Sequence, residues 1–157
     1  MTATTTSGHL RDVLGHFATG VAIVTTTTPS GPAGLTVNSL TSVSLDPPLV
    51  LFCARRESVT AAAIAQSRVF AANILGRDQE WLSRRFCGDH ATDRFASLAV
   101  RPGRTGSPIL PEALAYLDCE LAEIWDGGDH LVHLGRLVEL DRLREAEPLV
   151  FFRGGYR

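Results

Sequence analysis

The sequence predicts a small, mainly β protein whose strands close into a barrel, with a few short helices packed outside it. Three observations lead to this fold class. Six or seven segments are β-branched or alternate apolar with polar residues, short turns join most of them, and strands and helices do not alternate regularly. The 157 residues, 45% of them hydrophobic, suffice for one compact core. We therefore expect a single domain over residues 1–157, with residues 1–8 disordered.

The first half of the chain mixes strand and helix patterns. Leu10, Val13, Leu14 and Phe17 form an apolar stripe at helical spacing, which predicts an amphipathic helix over 9–19. β-Branched or apolar segments predict strands over residues 21–28, from about 33, 49–54 and 68–75. Two further helices are predicted over residues 59–67, after the N-cap Ser58, and 78–87.

The second half begins with an irregular stretch over residues 88–112, which is rich in glycine, proline, arginine and aspartate. Residues 116–125 then alternate apolar with acidic residues, which is typical of a half-exposed strand. The turn sequence Asp126-Gly127-Gly128-Asp129 predicts a hairpin that returns along residues 130–140. A last strand is predicted over 148–152.

Composition excludes several classes of function. The formal net charge is -2 and only 7% of the residues are aromatic, which argues against a nucleic-acid-binding surface. The chain contains no lysine, so neither a Walker A phosphate loop nor a pyridoxal Schiff base is possible. It also lacks the GxGxxG fingerprint of a Rossmann fold and the GxSxG elbow of an α/β-hydrolase.

Three well-separated cysteines without a CxxC motif, Cys53, Cys87 and Cys119, indicate reduced thiols in a cytoplasmic protein. The N-terminal sequence shows no signal-peptide pattern, and no apolar run approaches the roughly 20 residues that span a bilayer. We expect a protein that binds neither membranes nor nucleic acids.

The HxxH sequence formed by His130 and His133 suggests a metal site at first sight. Residues three apart on a strand point to opposite faces of the sheet, however, so the two imidazoles cannot close on one ion. We expect no metal. Two interpretations of His130 remain open: it caps the hairpin turn, or it faces a pocket at the hairpin tip and orients a substrate there.

The stretch from Thr36 to Ser44 concentrates neutral hydrogen-bonding groups next to the predicted core. They are either ordinary hydroxyls of a turn and an edge strand, or a surface that reads the polar edge of an uncharged heterocycle. Ser58 and Thr60 follow at the start of a helix, where free N–H groups favour an anion such as phosphate. Arg55 and Arg56 precede this helix, and Arg85 could add a bidentate donor. Together these features favour a phosphorylated heterocycle, a flavin nucleotide.

Several motifs resemble those of one known family in order and spacing. They are FxTGVAIVTT at 17–26, GLTVNSLTSVSLDPPLVLF at 34–52, SxT at 58–60, RF at 85–86, GSPIL at 106–110, GGDHxxxxGRL at 127–137 and PLVFFRG at 148–154. The chain resembles the short-chain flavin reductases of two-component flavin-dependent monooxygenases, which belong to the flavin reductase-like, FMN-binding split barrels. The resemblance runs from about Phe17 to Tyr156.

The resemblance implies a homodimer of six-stranded, Greek-key split barrels, with the flavin near the dimer interface. It places His130 beside the nicotinamide. It also assigns the following cofactor-binding residues: Thr36, Val37, Asn38, Ser39, Ser42, Cys53, Ala54, Ser58, Thr60, Arg85, Phe86, Arg153, Gly154 and Tyr156.

The activity implied by the resemblance is hydride transfer from NADH or NADPH to FMN or FAD. Reduced flavin would then diffuse to a partner monooxygenase. One alternative keeps the barrel and the flavin but acts on another small organic substrate, as a pyridoxamine-phosphate-oxidase-like enzyme would. Another is a flavin-binding redox protein that does not turn over. The sequence does not distinguish FMN from FAD or NADH from NADPH.

Overall fold

The structure, a computed structural model, describes residues 6–88 and 93–157. Its helices are α1 (Ser7–Leu14), α2 (Val59–Ser67) and α3 (Glu80–Arg85), the last preceded by a 3₁₀ turn at Arg77–Gln79. Its strands are β1 (Thr19–Gly20), β2 (Ala22–Thr28), β3 (Gly31–Val37), β4 (Thr41–Leu45), β5 (Pro48–Arg55), β6 (Val69–Ile74), β7 (Arg101–Pro102), β8 (Pro108–Ile109), β9 (Ala115–Gly127), β10 (His130–Arg142), β11 (Val150–Phe152) and β12 (Gly155–Tyr156).

The prediction of a mainly β, split-barrel fold is confirmed. The main sheet is antiparallel, with strand order β3-β2-β6-β9-β10-β5-β4. It has seven strands instead of the expected six, because the short strand β4 pairs along the outer edge of β5. A separate three-stranded sheet, β1-β11-β12, joins the two ends of the chain.

A serine side chain closes the barrel where its backbone ladder is interrupted. Strand β4 covers only Pro48–Leu51 of β5, so the remaining edge of β5 faces the end of β3. Ser39 Oγ accepts a hydrogen bond from the Cys53 amide at 2.9 Å and donates one to the Cys53 carbonyl oxygen at 3.2 Å. This hydroxyl satisfies the two backbone groups that a neighbouring strand would otherwise pair.

The interior of the barrel is a tightly packed aromatic and aliphatic core. Phe52 and Phe70 meet edge to face with ring centroids 5.1 Å apart, and neither ring is exposed. Gly135 lies directly beneath this pair: an added Cβ there would overlap the ring of Phe70 and come within 3.1 Å of Cys119 Cβ. Only glycine fits on β10 at this point.

A second apolar cluster covers the outside of the barrel. Ala22 and Val24 of β2 belong to the interior core, whereas the intervening Ile23 packs outward with Leu82 and Phe86 from the α3 region. Strand β2 is thus buried on both faces, which accounts for its almost unbroken run of apolar and β-branched residues.

Helices α1 and α3 are shorter than predicted, whereas α2 is not. Helix α2 spans the predicted residues, and Ser58 caps it by accepting a hydrogen bond from the Ala61 amide at 3.2 Å. Helix α1 ends at Leu14, earlier than expected, because Gly15 closes it with a hydrogen bond to the Arg11 carbonyl oxygen and the chain then turns into β1. Ser7 and Gly8, expected to be disordered, lie in the first turn of α1, and residues 1–5 lie outside the described residues.

The stretch expected to be irregular contains a small β7–β8 ladder anchored by a buried carboxylate. Asp118 on β9 is fully buried and accepts hydrogen bonds from the amide and the hydroxyl of Thr105, at 2.8 and 2.6 Å. Residues 89–92 of this stretch are outside the described part of the chain. In the two described ranges, no helix has the length and apolar character needed to cross a bilayer.

Candidate functional site

A cavity of about 950 Å³ opens where β3, β5, the start of α2 and the end of α3 converge. Its volume lies in the range of cofactor-binding clefts. Ten of the residues predicted to form the site line it: Thr36, Val37, Asn38, Ser39, Cys53, Ala54, Ser58, Thr60, Phe86 and His130. The barrel therefore brings together residues that are nearly a hundred positions apart in sequence.

Most hydroxyl groups on the cavity wall are already engaged with the backbone. Thr36 Oγ1 donates to the Ser83 carbonyl oxygen at 2.7 Å, and Thr60 Oγ1 donates to the Gly34 carbonyl oxygen at 3.1 Å. Ser39 closes the barrel as described above. These hydroxyls hold the strands and helices that form the wall, while the exposed amide of Asn38 has no hydrogen-bond partner among the described residues.

The first turn of α2 presents backbone hydrogen-bond donors to the cavity. Its leading backbone N–H groups have no intrahelical acceptors, and the helix macrodipole gives this end partial positive charge. The Ser58 hydroxyl caps one of these N–H groups and keeps its own hydrogen to donate. No acidic residue lies in the first turn of the helix itself, so the site suits a phosphate.

His130 also lines the cavity, at the start of strand β10. Its Nδ1 lies 2.8 Å from Asp129 Oδ1, and this hydrogen bond lowers the pKa of the Asp129 carboxyl below its usual range. An ionised carboxylate only accepts hydrogen bonds, so Nδ1 of His130 donates to Asp129 and Nε2 is left to contact a ligand. The side chain of His130 is 40% exposed, so it is accessible to a ligand.

Arg56 fixes the turn that carries His130. Its Nε donates to the Gly128 carbonyl oxygen at 2.6 Å, its backbone amide donates to the Asp129 carbonyl oxygen at 3.2 Å, and its guanidinium forms an ion pair with Asp126. These contacts tie the end of β5 to the β9–β10 hairpin. The orientation of His130 therefore depends on a residue that the sequence had grouped with the anion site of α2.

Aromatic residues form the wall opposite β5. The rings of Phe86 and Phe95 meet edge to face at 5.0 Å, and Arg94 Nη1 donates to the carbonyl oxygens of Gly34 and Phe86 at 2.8 and 3.1 Å. A Cβ on Gly34 would lie 2.7 Å from Phe86 Cε1, so this ring packs directly on the β3 backbone.

Five of the predicted site residues do not line the cavity. Arg85 donates from Nη2 to the carbonyl oxygens of Asp93 and Ala96, at 3.3 and 2.5 Å, and so braces the aromatic wall from outside. The Tyr156 hydroxyl lies behind the cavity, 2.7 Å from Ser83 Oγ. The remaining three lie on β4 or at the β11–β12 turn: Ser42, Arg153 and Gly154.

The thiol of Cys53, which lines the cavity, is not activated as a nucleophile. Burial raises the pKa of the Cys53 thiol, which keeps this side chain protonated. Within residues 6–88 and 93–157, no group of three or more histidine, cysteine or carboxylate side chains could hold a metal ion. The neutral groups of β3 and the aromatic rings of Phe86 and Phe95 are suited to binding and orienting a planar ligand.

A model of the flavin reductase like domain family matches residues 14–157, nearly the whole chain. The chain belongs to this family. The match covers both ends of the cavity, from the β3 wall to the hairpin that carries His130.

Two curated relatives are similar to this flavin reductase-like chain over most of their length. The reductase subunit HsaB of a flavin-dependent monooxygenase from Rhodococcus jostii is 44% identical over 146 residues, which cover 93% of this chain and 74% of HsaB. The FMN reductase (NADH) SmoA from Agrobacterium fabrum is 40% identical over 150 residues, covering 96% of this chain and 84% of SmoA.

A solved structure of the NADH:FAD oxidoreductase SgcE6 from Streptomyces globisporus C-1027, in complex with NAD and FAD fragments, superimposes with a TM-score of 0.89. The two chains are 38% identical, and the similarity covers 96% of this chain and 90% of SgcE6. The similarity extends to the whole barrel and its flanking helices.

Sequence analysis of this flavin reductase-like chain missed Arg94 and Phe95. Both lie in the stretch expected to be irregular, where no periodicity marks a residue as buried or lining a cavity. The one available signal was a repeated dipeptide: Arg94-Phe95 repeats the Arg85-Phe86 pair that was assigned to the site.

Proposed function

We propose that the protein is an NAD(P)H:flavin oxidoreductase that transfers hydride from NADH or NADPH to FMN or FAD. Reduced flavin then serves a partner monooxygenase. The observation that carries this proposal is the cavity itself, because one uncharged wall connects a helix N-terminus suited to phosphate with a histidine positioned to meet a second ligand.

The donor set of the cavity fits a flavin. We assign the ring and ribityl chain to the β3 side, where Asn38 offers an amide, Thr36 and Ser39 supply neutral groups, and Val37 supplies apolar contact. The backbone of Cys53 and Ala54 forms the facing edge. The phosphate is assigned to Ser58 and Thr60 at the start of α2, with Phe86 packed alongside.

When bound, the flavin accepts hydride and the nicotinamide donates it, so the protein needs no catalytic acid or base of its own. The role of the chain would be to hold the two rings at the distance that hydride transfer requires, roughly 3–3.5 Å. His130 orients the nicotinamide through Nε2, because Nδ1 is committed to Asp129. The aromatic wall of Phe86 and Phe95 limits water in the cavity.

A homodimer is supported by apolar side chains left exposed on one chain. No residue of α1 is buried although its stripe is amphipathic, and Phe17, just beyond it, is 76% exposed. Leu45 at the end of β4 is 92% exposed. Large apolar side chains exposed at helical spacing along one segment, as at Leu10, Val13, Leu14 and Phe17, favour an interaction site. Light scattering on the purified protein tests this, and a monomer at micromolar concentration would contradict it.

The resemblance also assigns to the site residues that the single chain places outside the cavity. We propose that Arg85 and Tyr156 position the wall from behind, through their contacts with the Ala96 carbonyl oxygen and Ser83. Ser42, Arg153 and Gly154 contact ligands only in the complete homodimer. A dimer-breaking change at Phe17 would then weaken flavin binding as well as association.

The partner is a flavin-dependent monooxygenase, and transfer of reduced flavin to it is by diffusion. Most hydroxyl groups of the β3 wall are already hydrogen-bonded to the backbone, and the wall offers no charge to the flavin ring. This supports a flavin that exchanges with solution. We also propose a cytoplasmic location, which the three free cysteines support because thiols remain reduced there.

The decisive experiment measures initial rates of NADH or NADPH oxidation with added FMN or FAD, in all four combinations. Steady oxidation that depends on free flavin is expected in at least one combination. Binding of flavin without steady oxidation would identify a non-enzymatic flavoprotein. Oxidation that requires another organic substrate would identify the alternative chemistry.

A further inference from the structure

Arg55 is the last residue of β5 and lies directly opposite His130 in the β5–β10 ladder. Directly opposite residues on antiparallel strands project to the same face, with Cβ atoms roughly 4.5–5.5 Å apart. Both residues line the cavity. Arg55 is therefore placed beside the histidine that the proposed function assigns to the nicotinamide donor.

The guanidinium of Arg55 differs from those of the neighbouring arginines. Arg94, which also lines the cavity, donates to the carbonyl oxygens of Gly34 and Phe86, and Arg56 is committed to the hairpin turn. Arg55 is exposed, and its guanidinium has no hydrogen-bond or ion-pair partner within the described ranges of the chain. Five N–H donors are thus available to a ligand beside His130.

The free guanidinium of Arg55 is suited to an anionic ligand. Two acidic residues, Glu57 and Asp93, also line the cavity, so an anionic ligand there needs a cation to offset their charge. A nicotinamide dinucleotide brings a charged pyrophosphate, and NADPH an additional 2′-phosphate. A guanidinium matches phosphate geometry and forms paired, charge-assisted hydrogen bonds with it.

We propose that Arg55 binds a phosphate group of the nicotinamide donor while His130 contacts the nicotinamide. The inference rests on the proposed function and adds a residue to it that determines affinity for the donor. The anion site at the start of α2 remains the site for the flavin phosphate.

The test compares the wild-type protein with Arg55→Gln and Arg55→Lys in steady-state assays. For Arg55→Gln, KM for NADH should rise about tenfold, since a charge-assisted hydrogen bond is lost. The value of kcat and the dissociation constant of the flavin should each change less than about twofold. This is well below the change in affinity expected from the loss of one such hydrogen bond. Arg55→Lys retains the charge and should recover most of the affinity. Arg136→Gln is the matched control, because Arg136 is exposed on β10 away from the cavity.

The two donors distinguish the phosphate groups. An equal rise in KM for NADH and NADPH identifies the pyrophosphate, and a larger rise for NADPH identifies the 2′-phosphate; either supports the inference. An unchanged KM for both donors overturns it, and so does a weakened flavin affinity in place of a raised KM. A wild-type protein without flavin-dependent NADH or NADPH oxidation would instead refute the proposed function.

Discussion

Two histidines near the start of strand β10 lie in opposite environments. His130 lies at the rim of the cavity, paired with Asp129 and 40% exposed. His133, three residues along, is fully buried inside the barrel and stacks flat on Phe52 at 4.7 Å, with neither ring nitrogen hydrogen-bonded among the described residues.

The comparison indicates that one strand contributes to ligand binding at the rim of the cavity and to folding stability inside the barrel. Polar groups at the rim are arranged around backbone carbonyls and carboxylates, so changes there should alter ligand affinity and leave the fold intact. The interior allows neither added volume nor added charge, because close packing and low polarity penalise both. Four substitutions test this division, from the largest expected effect to the smallest.

Gly135→Ala should cause the largest loss of stability. The added methyl group overlaps the ring of Phe70, and overpacking of this kind costs about 3 kcal/mol. Urea unfolding measures the loss. Gly20→Ala is the matched control, because a Cβ there meets no atom within 4 Å.

A second change at Phe70 sharpens the test. Phe70→Leu makes room for the methyl group, so the double variant should lose less stability than the two single losses added together. Additive losses would contradict a direct clash between the two positions.

Ser39→Ala lies at the boundary between the two regions. It leaves the amide and the carbonyl oxygen of Cys53 without their hydroxyl partner, and we expect a loss of about 2 kcal/mol in the free energy of unfolding. Flavin affinity should fall with it, since the same bond closes the cavity wall. Ser42→Ala, on the exposed strand β4, should change stability by less than about 0.5 kcal/mol; equal losses would show that Ser39 does not close the barrel.

Acid should destabilise the interior through His133. Burial lowers the pKa of this side chain in the folded protein, so the unfolded chain binds the proton more readily. The free energy of unfolding is therefore highest above the ordinary histidine pKa of about 6.5 and falls as the pH drops below it, by about 1.4 kcal/mol per pH unit between the two pKa values.

Urea unfolding at about pH 7.5 and about pH 5.5 measures this dependence on either side of the histidine pKa. His133→Leu introduces an apolar side chain of similar size and removes the titrating group. The free energy of unfolding of this variant should therefore change less between the two pH values. Identical pH dependence in both proteins would assign the acid sensitivity to other groups.

His130→Ala should have the smallest effect on stability and a selective effect on function. We expect KM for NADH to rise about tenfold, because one oriented contact is lost, with flavin affinity and the urea midpoint unchanged. Stopped-flow measurement of hydride transfer at saturating donor checks the role of the side chain. A loss of several thousandfold with both affinities unchanged would make His130 a catalytic group instead.

Local sequence patterns predicted the elements whose signals are short-range. Ser58 marked the start of α2, and the Asp126–Asp129 turn marked the hairpin, because caps and turns depend on a few adjacent residues. The resemblance supplied most of the cavity, since motif spacing along the chain carries the family's arrangement. Patterns failed where contacts cross the fold: Arg94 and Phe95 reach the cavity from a loop without periodicity.

The sequence by itself determined a mainly β chain, its hairpins and the neutral stretch that lines the cavity, because strand propensity and alternation are local properties. Only the tertiary structure decided which hydroxyls brace the wall, which arginine stays free and which histidine is buried. Thr36, Arg55 and His133 illustrate this, since each environment is set by strands or helices distant in sequence. Hydrogen-bond partners and burial are properties of the folded neighbourhood, and no short-range pattern specifies them.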